Sequence, residues 1–186
     1  MKLLSAMLFL VGCTSILTAT IVSKDTVFDS PDKLLQATIH YRSDTGADQV
    51  YLRITNLQTH TVDECGPILT PVYSVQWSPD SKTIVLIQHM ANGCVPGVAH
   101  LSKGTWKFST IYLPIEGPAR YSVSKLVFFH TGIRFTYRVA TTKINGSITG
   151  YQVTGLDVDP SDFSISNTST RNIDQDKFES LGQLSD

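Results

Sequence analysis

Val75-Gln76-Trp77-Ser78-Pro79-Asp80-Ser81-Lys82-Thr83-Ile84 reads as the middle of a β-hairpin. Pro79 presets φ at the second turn position, and Ser78 and Asp80 carry oxygens that can bond backbone amides inside the turn. On either side, Val72 to Trp77 and Thr83 to His89 are rich in the β-branched and aromatic residues that strands favour.

The same texture extends outward in both directions. Upstream, Leu34 to Tyr41 reads as a strand entered by the turn Asp29-Ser30-Pro31-Asp32, behind a polar lead from Ser23 to Asp29. Ser43-Asp44-Thr45-Gly46 reads as a loop, Gln49 to Thr55 as a second strand, and Asn56-Leu57-Gln58-Thr59 as the next turn. Downstream, Thr105 to Leu113 is a further strand. Ile133-Arg134-Phe135-Thr136-Tyr137-Arg138-Val139 alternates cleanly, with one apolar and one polar face. Asn145-Gly146 is a hairpin turn of the favoured type, and Ser147 to Thr154 returns as the partner strand. No long 3.6-residue apolar period appears before residue 170, so the fold class expected is all-β. Residues 159–172 are dominated by Ser, Thr, Asn and Asp, and read as a polar tail. Asn172 with Gln175 makes a capping-box-like start to a short C-terminal helix, with Phe178, Leu181 and Leu184 along one side. The organisation expected is an export segment over residues 1–20, a β domain over 25–158, and a tail with a short helix over 159–186.

The stretch around Trp77 has an earlier copy, Asp29-Ser30-Pro31-Asp32-Lys33-Leu34-Leu35, lying 48 positions upstream. A period near 45 is the length of a propeller blade. The motif resembles the strand-turn-strand core of propeller blades of the TolB or WD40-like kind, where the turn often reads Trp-Ser-Pro-Asp-Gly-Lys. That resemblance implies antiparallel blades. In this chain the glycine is replaced by Ser81 and is absent after Asp32, which leaves the turn type open. Ser122 to Val158 offers hairpins for a third unit without the motif. About 170 mature residues allow at most three to four blades, so the propeller would be small or incomplete. A β-sandwich that shares this hairpin is the alternative.

Lys2 precedes an uncharged stretch from Leu3 to Val22 whose densest apolar run is Leu8-Phe9-Leu10-Val11. A short basic start and an apolar centre fit a secretory signal. Leu10-Val11-Gly12-Cys13 resembles the lipobox of bacterial lipoproteins, which implies lipidation of Cys13 and a membrane anchor; Thr14 would then suggest the outer membrane. A signal-anchor helix and an ordinary cleaved signal are the competing readings, and all three put residues 25–186 outside the cytoplasm. In an oxidising compartment the two other cysteines, Cys65 and Cys94, are expected to pair as a disulfide. Closing about 30 residues would stabilise the fold by roughly 3–4 kcal/mol.

With 41% hydrophobic and 17% charged residues the chain can bury a core, and a formal net charge of -1 argues against a nucleic-acid partner. The five histidines, His40, His60, His89, His100 and His130, form no HExxH, and there is neither a GxSxG elbow nor a glycine-rich phosphate loop, so no cofactor is implied. No CxxC or nearby His suggests zinc. Asp157-Val158-Asp159-Pro160-Ser161-Asp162 resembles half a calcium loop, without its glycine or closing glutamate, so no metal is expected there. Arg134 and Arg138 project from one strand face and are the candidate ligand-binding pair, for a carboxylate or a sugar. Trp77 and Trp106 lie in alternating runs and read as core. Taken together these features point to a non-enzymatic envelope lipoprotein that binds another envelope or secreted protein. A periplasmic inhibitor or immunity protein is the concrete version. A carbohydrate-active or other hydrolase with an unrecognised carboxylate pair is one alternative, and a small-ligand or glycan binder another.

Overall fold

A computed structural model describes residues 26–42, 49–69, 71–91, 93–114, 117–130 and 132–181. The export segment with Cys13, the loop at Ser43 to Gly46, and Leu184 lie outside the described residues. Among the described residues no helix is long and apolar enough to cross a membrane.

Among the described residues twelve strands form three consecutive antiparallel meanders of four. The first contains β1 (Val27–Asp29), β2 (Leu35–Arg42), β3 (Gln49–Asn56) and β4 (Val62–Cys65). The second contains β5 (Val72–Trp77), β6 (Thr83–Met90), β7 (Gly93–Ser102) and β8 (Thr105–Thr110). The third contains β9 (Ala119–Phe129), β10 (Gly132–Thr142), β11 (Ile148–Val158) and β12 (Ile165–Ile173), followed by helix α1 (Gln175–Ser180). The second and third meanders touch through their backbones at one parallel residue pair, Gly93 with Tyr121.

Each meander is a propeller-like blade, and the three are stacked. Side chains on one face of the second blade, Ile84, Leu86 and Ala99, join Ile39, Leu52 and Ile54 of the first blade in one core. The alternate residues Val85 and Val98 join Ile133, Phe135, Tyr137 and Val139 of the third blade in another. Strand β6 is therefore buried on both sides, which is why it reads as a continuous apolar run whereas β10 alternates. Two cores flanking a middle sheet distinguish this arrangement from a two-layer sandwich, which has one. Each fully buried Ile or Leu contributes about 1.5–3 kcal/mol.

The outer face of the first blade is polar, and that of the third is partly covered by a helix. On the first blade Glu64 is paired with Arg42 and Arg53, and the Arg42 guanidinium lies 4.9 Å from the Tyr51 ring centroid. Bonding from Arg53 is the main cause that holds the Glu64 carboxyl below its ordinary value, against a smaller cost of burial. On the third blade α1 lies against the sheet, with the Phe178 and Tyr151 rings 4.6 Å apart.

The two copies of the motif have the same geometry. Ser30 and Ser78 are buried, and each donates its hydroxyl to the aspartate two residues on at 2.6 Å. Each hydroxyl also accepts a backbone N–H from five residues on, at 2.9 Å, while the aspartate Oδ1 caps a second amide. Lys33 and Ser81, which follow the two aspartates, both hold left-handed backbone, with φ of 61° and 59°. The two copies thus share one turn geometry without glycine, with the Ser and Asp side chains accepting loop amides in both.

Several expectations are corrected. The polar lead contains β1, which pairs with β2 through backbone bonds that any side chain permits. Residues 165–173 are not a tail: they form β12, the edge strand of the third blade, paired to β11 and reinforced by the Thr154–Thr170 hydroxyl contact at 3.1 Å. An edge strand needs backbone partners on one side only and tolerates polar residues on both faces. The domain boundary at 158 therefore falls inside a blade. The helix starts two residues later than expected, with Asp174 as N-cap accepting from the Lys177 amide at 2.7 Å. The expected Cys65–Cys94 bridge is not present, and both are free thiols. Cys65 pairs with Leu52 in the first blade and enters its core, while Cys94 pairs with His89 in the second.

Candidate functional site

The turns that close strands at one end of the second and third blades enclose a cleft of about 510 Å³. Ser78, Pro79 and Asp80 come from the β5–β6 turn, and Asp159, Pro160 and Ser161 from the β11–β12 turn. Phe128, Phe129 and His130 close it from the end of β9, and Thr83 and His100 form part of its wall. The blade motif thus does two things: its turn chemistry shapes a loop, and the stacking of blades sets that loop opposite another.

Both turn carboxylates are anchored through one oxygen. Asp80 Oδ1 accepts from Ser78 Oγ at 2.6 Å and from the Lys82 amide at 3.1 Å. Asp159 Oδ1 accepts from the Ser161 amide at 2.8 Å and from Ser161 Oγ at 2.6 Å. Neither Oδ2 takes a hydrogen bond among the described residues. Burial pushes the Asp80 carboxyl up, but the bonds from Ser78 and Lys82 together outweigh it and leave Asp80 below the ordinary carboxylate value. His100 sits opposite Thr83 in the β6–β7 register, with Nδ1 and Thr83 Oγ1 2.9 Å apart. Burial lowers the His100 proton affinity; Asp80 and then Asp159 oppose it, and Lys82 adds a smaller lowering effect. Burial thus favours the neutral imidazole, and the two carboxylates outweigh Lys82 in the field it feels.

Of the residues singled out from sequence, Arg134 and Arg138 do share the outer face of β10, but each is engaged within the chain. Arg134 makes a bidentate bond to Asp157, which raises its proton affinity, and lies 5.4 Å from the Phe129 ring centroid beside the cleft. Arg138 lies 5.2 Å from the ring centroid of Phe178, under α1. The aspartates of the half calcium loop serve their own segment: Asp157 holds Arg134, Asp159 caps Ser161, and Asp162 caps the Ser164 amide. No cluster of three or more His, Cys, Asp or Glu is placed to hold a metal ion among the described residues. Trp77 and Trp106 pack edge to face at 5.9 Å, within the first core.

The cleft residues Asp80, Asp159 and His100 appear in the sequence as two turn carboxylates and one scattered histidine. The only signal that joins the carboxylates is that both belong to proline turns, Ser78-Pro79-Asp80 and Asp159-Pro160-Ser161. Nothing local says that those turns meet.

Fold and cleft together define a small, open assembly of propeller-like blades with a ligand-sized depression at one end. No family model matches the chain, and no curated protein matches its sequence. Among solved structures, the chain is similar to the AtxE2 isopeptidase at 11% identity and a TM-score of 0.48, covering 87% of this chain and 31% of that one. It is similar to the Pyrococcus horikoshii acylaminoacyl peptidase at 12% identity and a TM-score of 0.47, covering 78% of this chain and 25% of that one. The β-propeller domain of the Trilobed protease from Pyrococcus furiosus follows at 9% identity and a TM-score of 0.43, with 83% and 56% covered. The chain thus spans less than two thirds of the length of each.

Proposed function

We propose that this protein is a non-enzymatic cell-envelope lipoprotein, anchored at Cys13 with its blades in the periplasm, that binds another envelope or secreted protein at the cleft between its second and third blades. An inhibitor or immunity protein is the concrete form of such a role. The observation that carries the reading is the cleft itself. It is of ligand size, mixes half-exposed aromatic surface with oriented acceptors, and is built from turns on two stacked blades, so its shape is preorganised. The lipobox-like Leu10-Val11-Gly12-Cys13 supports the anchor.

The test places a photo-crosslinking phenylalanine at Phe129, in the cleft, and separately at Tyr41, an exposed residue of the first blade. A discrete adduct in envelope extract from the Phe129 position alone is the expected result. Equal adducts from both positions, or none from Phe129, overturn it. Intact mass with and without Cys13→Ala, in cells blocked in lipoprotein processing, tests the anchor.

A second reading, a glycan hydrolase, is favoured by one observation: Asp80 and Asp159 face the same cleft. A general acid in such an enzyme needs a raised pKa. Asp80 is instead held low and bonded into its turn, so this reading ranks second. Turnover of a glycan panel, abolished by Asp80→Asn and by Asp159→Asn, would promote it.

A further inference from the structure

We infer that the cleft takes a cationic side chain, an arginine or lysine presented by the partner protein, between the carboxylates of Asp80 and Asp159. This deepens the binding reading and rests on it. The two carboxylates lie on opposing turns of one cleft, and each is fixed by donors to its Oδ1 while its Oδ2 accepts no bond among the described residues. A pair of oriented, half-satisfied carboxylates is an acceptor set for a guanidinium or ammonium group. Of the cations nearby, Arg134 is spent on Asp157, and Lys82 favours the charged form of Asp80 through its field, less strongly than the Ser78 hydroxyl and the Lys82 amide do through their bonds. His100 and His130 complete the polar lining. The Phe129 ring is 50% exposed and already carries one guanidinium, that of Arg134, which shows that its surroundings suit such a group. Phe128 and Phe129 would desolvate a cation entering here, and the two aspartates would compensate its charge.

The experiment is calorimetric titration of the full chain with three probes: a tri-arginine amide, its neutral tri-citrulline counterpart, and spermidine. The tri-arginine peptide is expected to bind, to weaken with added salt, and to lose at least about tenfold in affinity in the Asp80→Asn, Asp159→Asn double variant. Asparagine retains Oδ1, so both turns keep their caps, and thermal melts of the variant check the fold. Asp63→Asn, an exposed carboxylate on the first blade, should change nothing. Equal binding of tri-citrulline, no binding of tri-arginine, or an unaltered double variant overturns the inference. Spermidine binding as tightly as the peptide would keep the cation chemistry but overturn a protein side chain as its source. A cleft adduct in the crosslinking test that survives in the double variant sinks the charge inference and leaves the binding reading standing. Loss of that adduct in the double variant supports both.

Discussion

Trp77 donates its indole Nε1–H to the backbone carbonyl of Phe28 at 3.0 Å, across 49 positions of sequence. The bond joins the first strand of one blade to the first strand of the next, and it does so from the residue that opens the turn motif. Asp32 and Ser81 make a parallel link, the Asp32 amide donating to Ser81 Oγ at 3.2 Å, so the two copies of the motif contact one another. The repeat is therefore a stacking device as well as a turn.

Trp77→Phe removes that donor and leaves the Phe28 carbonyl to find another partner. It also changes the edge-to-face contact with Trp106 at 5.9 Å. A loss of about 1–3 kcal/mol is expected, read as a lower midpoint in urea with an unchanged slope.

Gly93 begins β7 with φ of 144°, and a Cβ there would sit 1.7 Å from the Tyr121 carbonyl oxygen. That pair links the backbones of the second and third blades. Gly93→Ala should cost at least about 2 kcal/mol, since neither backbone can yield without breaking the link. Because Gly93 pairs with Tyr121 of β9, hydrogen exchange should show protection lost at β9 before it is lost within the second blade.

Lys33 and Ser81 both hold left-handed backbone without being glycine. Lys33→Gly, on an exposed turn, should stabilise the protein by up to about 1 kcal/mol by relieving that strain. Ser81→Gly should gain less, because it also removes the acceptor for the Asp32 amide. Paired thermal melts of the two variants measure the difference.

Acidification should weaken the fold in two steps. Burial lowers the His100 pKa below 6.5, so the unfolded chain takes up this proton before the folded chain does. The contribution is complete above that value and is lost as the pH falls from it towards the folded value. Asp32 and Asp162 are held below 3.8 by bonds from Ser30 and Ser164 respectively, and Glu64 below 4.5 chiefly by Arg53. Their contributions are present above the ordinary carboxylate values and are lost as pH falls through the depressed ones. His100→Gln should therefore flatten the stability profile as the pH falls below 6.5 and leave the acid step in place. Denaturant unfolding across the pH range decides this; an unaltered upper step would show that another group carries it.

The residues of β10 illustrate what was legible beforehand. Ile133, Phe135, Tyr137 and Val139 alternate with polar residues and are all buried, because a strand with one wet face must separate its side chains by parity. A turn at Asn145-Gly146 is equally legible, but not its type: Gly146 is left-handed at φ of 83° while Asn145 is not, and the Gly146 amide donates back to the Lys143 carbonyl, so the hairpin closes on a longer loop than a two-residue turn. Strands β1, β4, β7, β9 and β12 are not legible as strands in the sequence. β7 carries Gly93, Pro96 and Gly97, which as isolated residues signal loops, and β12 is nearly all polar. Their pairing comes from neighbours, not from their own composition.

By itself the sequence determined the strands with strong alternation, the two Ser-Pro-Asp turns and the repeat that relates them. All of these follow from forces acting within a few residues: backbone torsion preferences, side-chain caps and the parity of a strand. Tertiary structure alone decided the three-blade stack, the free thiols of Cys65 and Cys94, and the meeting of Asp80, Asp159 and His100 around one cleft. Those depend on which faces bury each other across the stack, and burial is a property of surfaces brought together from distant parts of the chain, which no local pattern encodes.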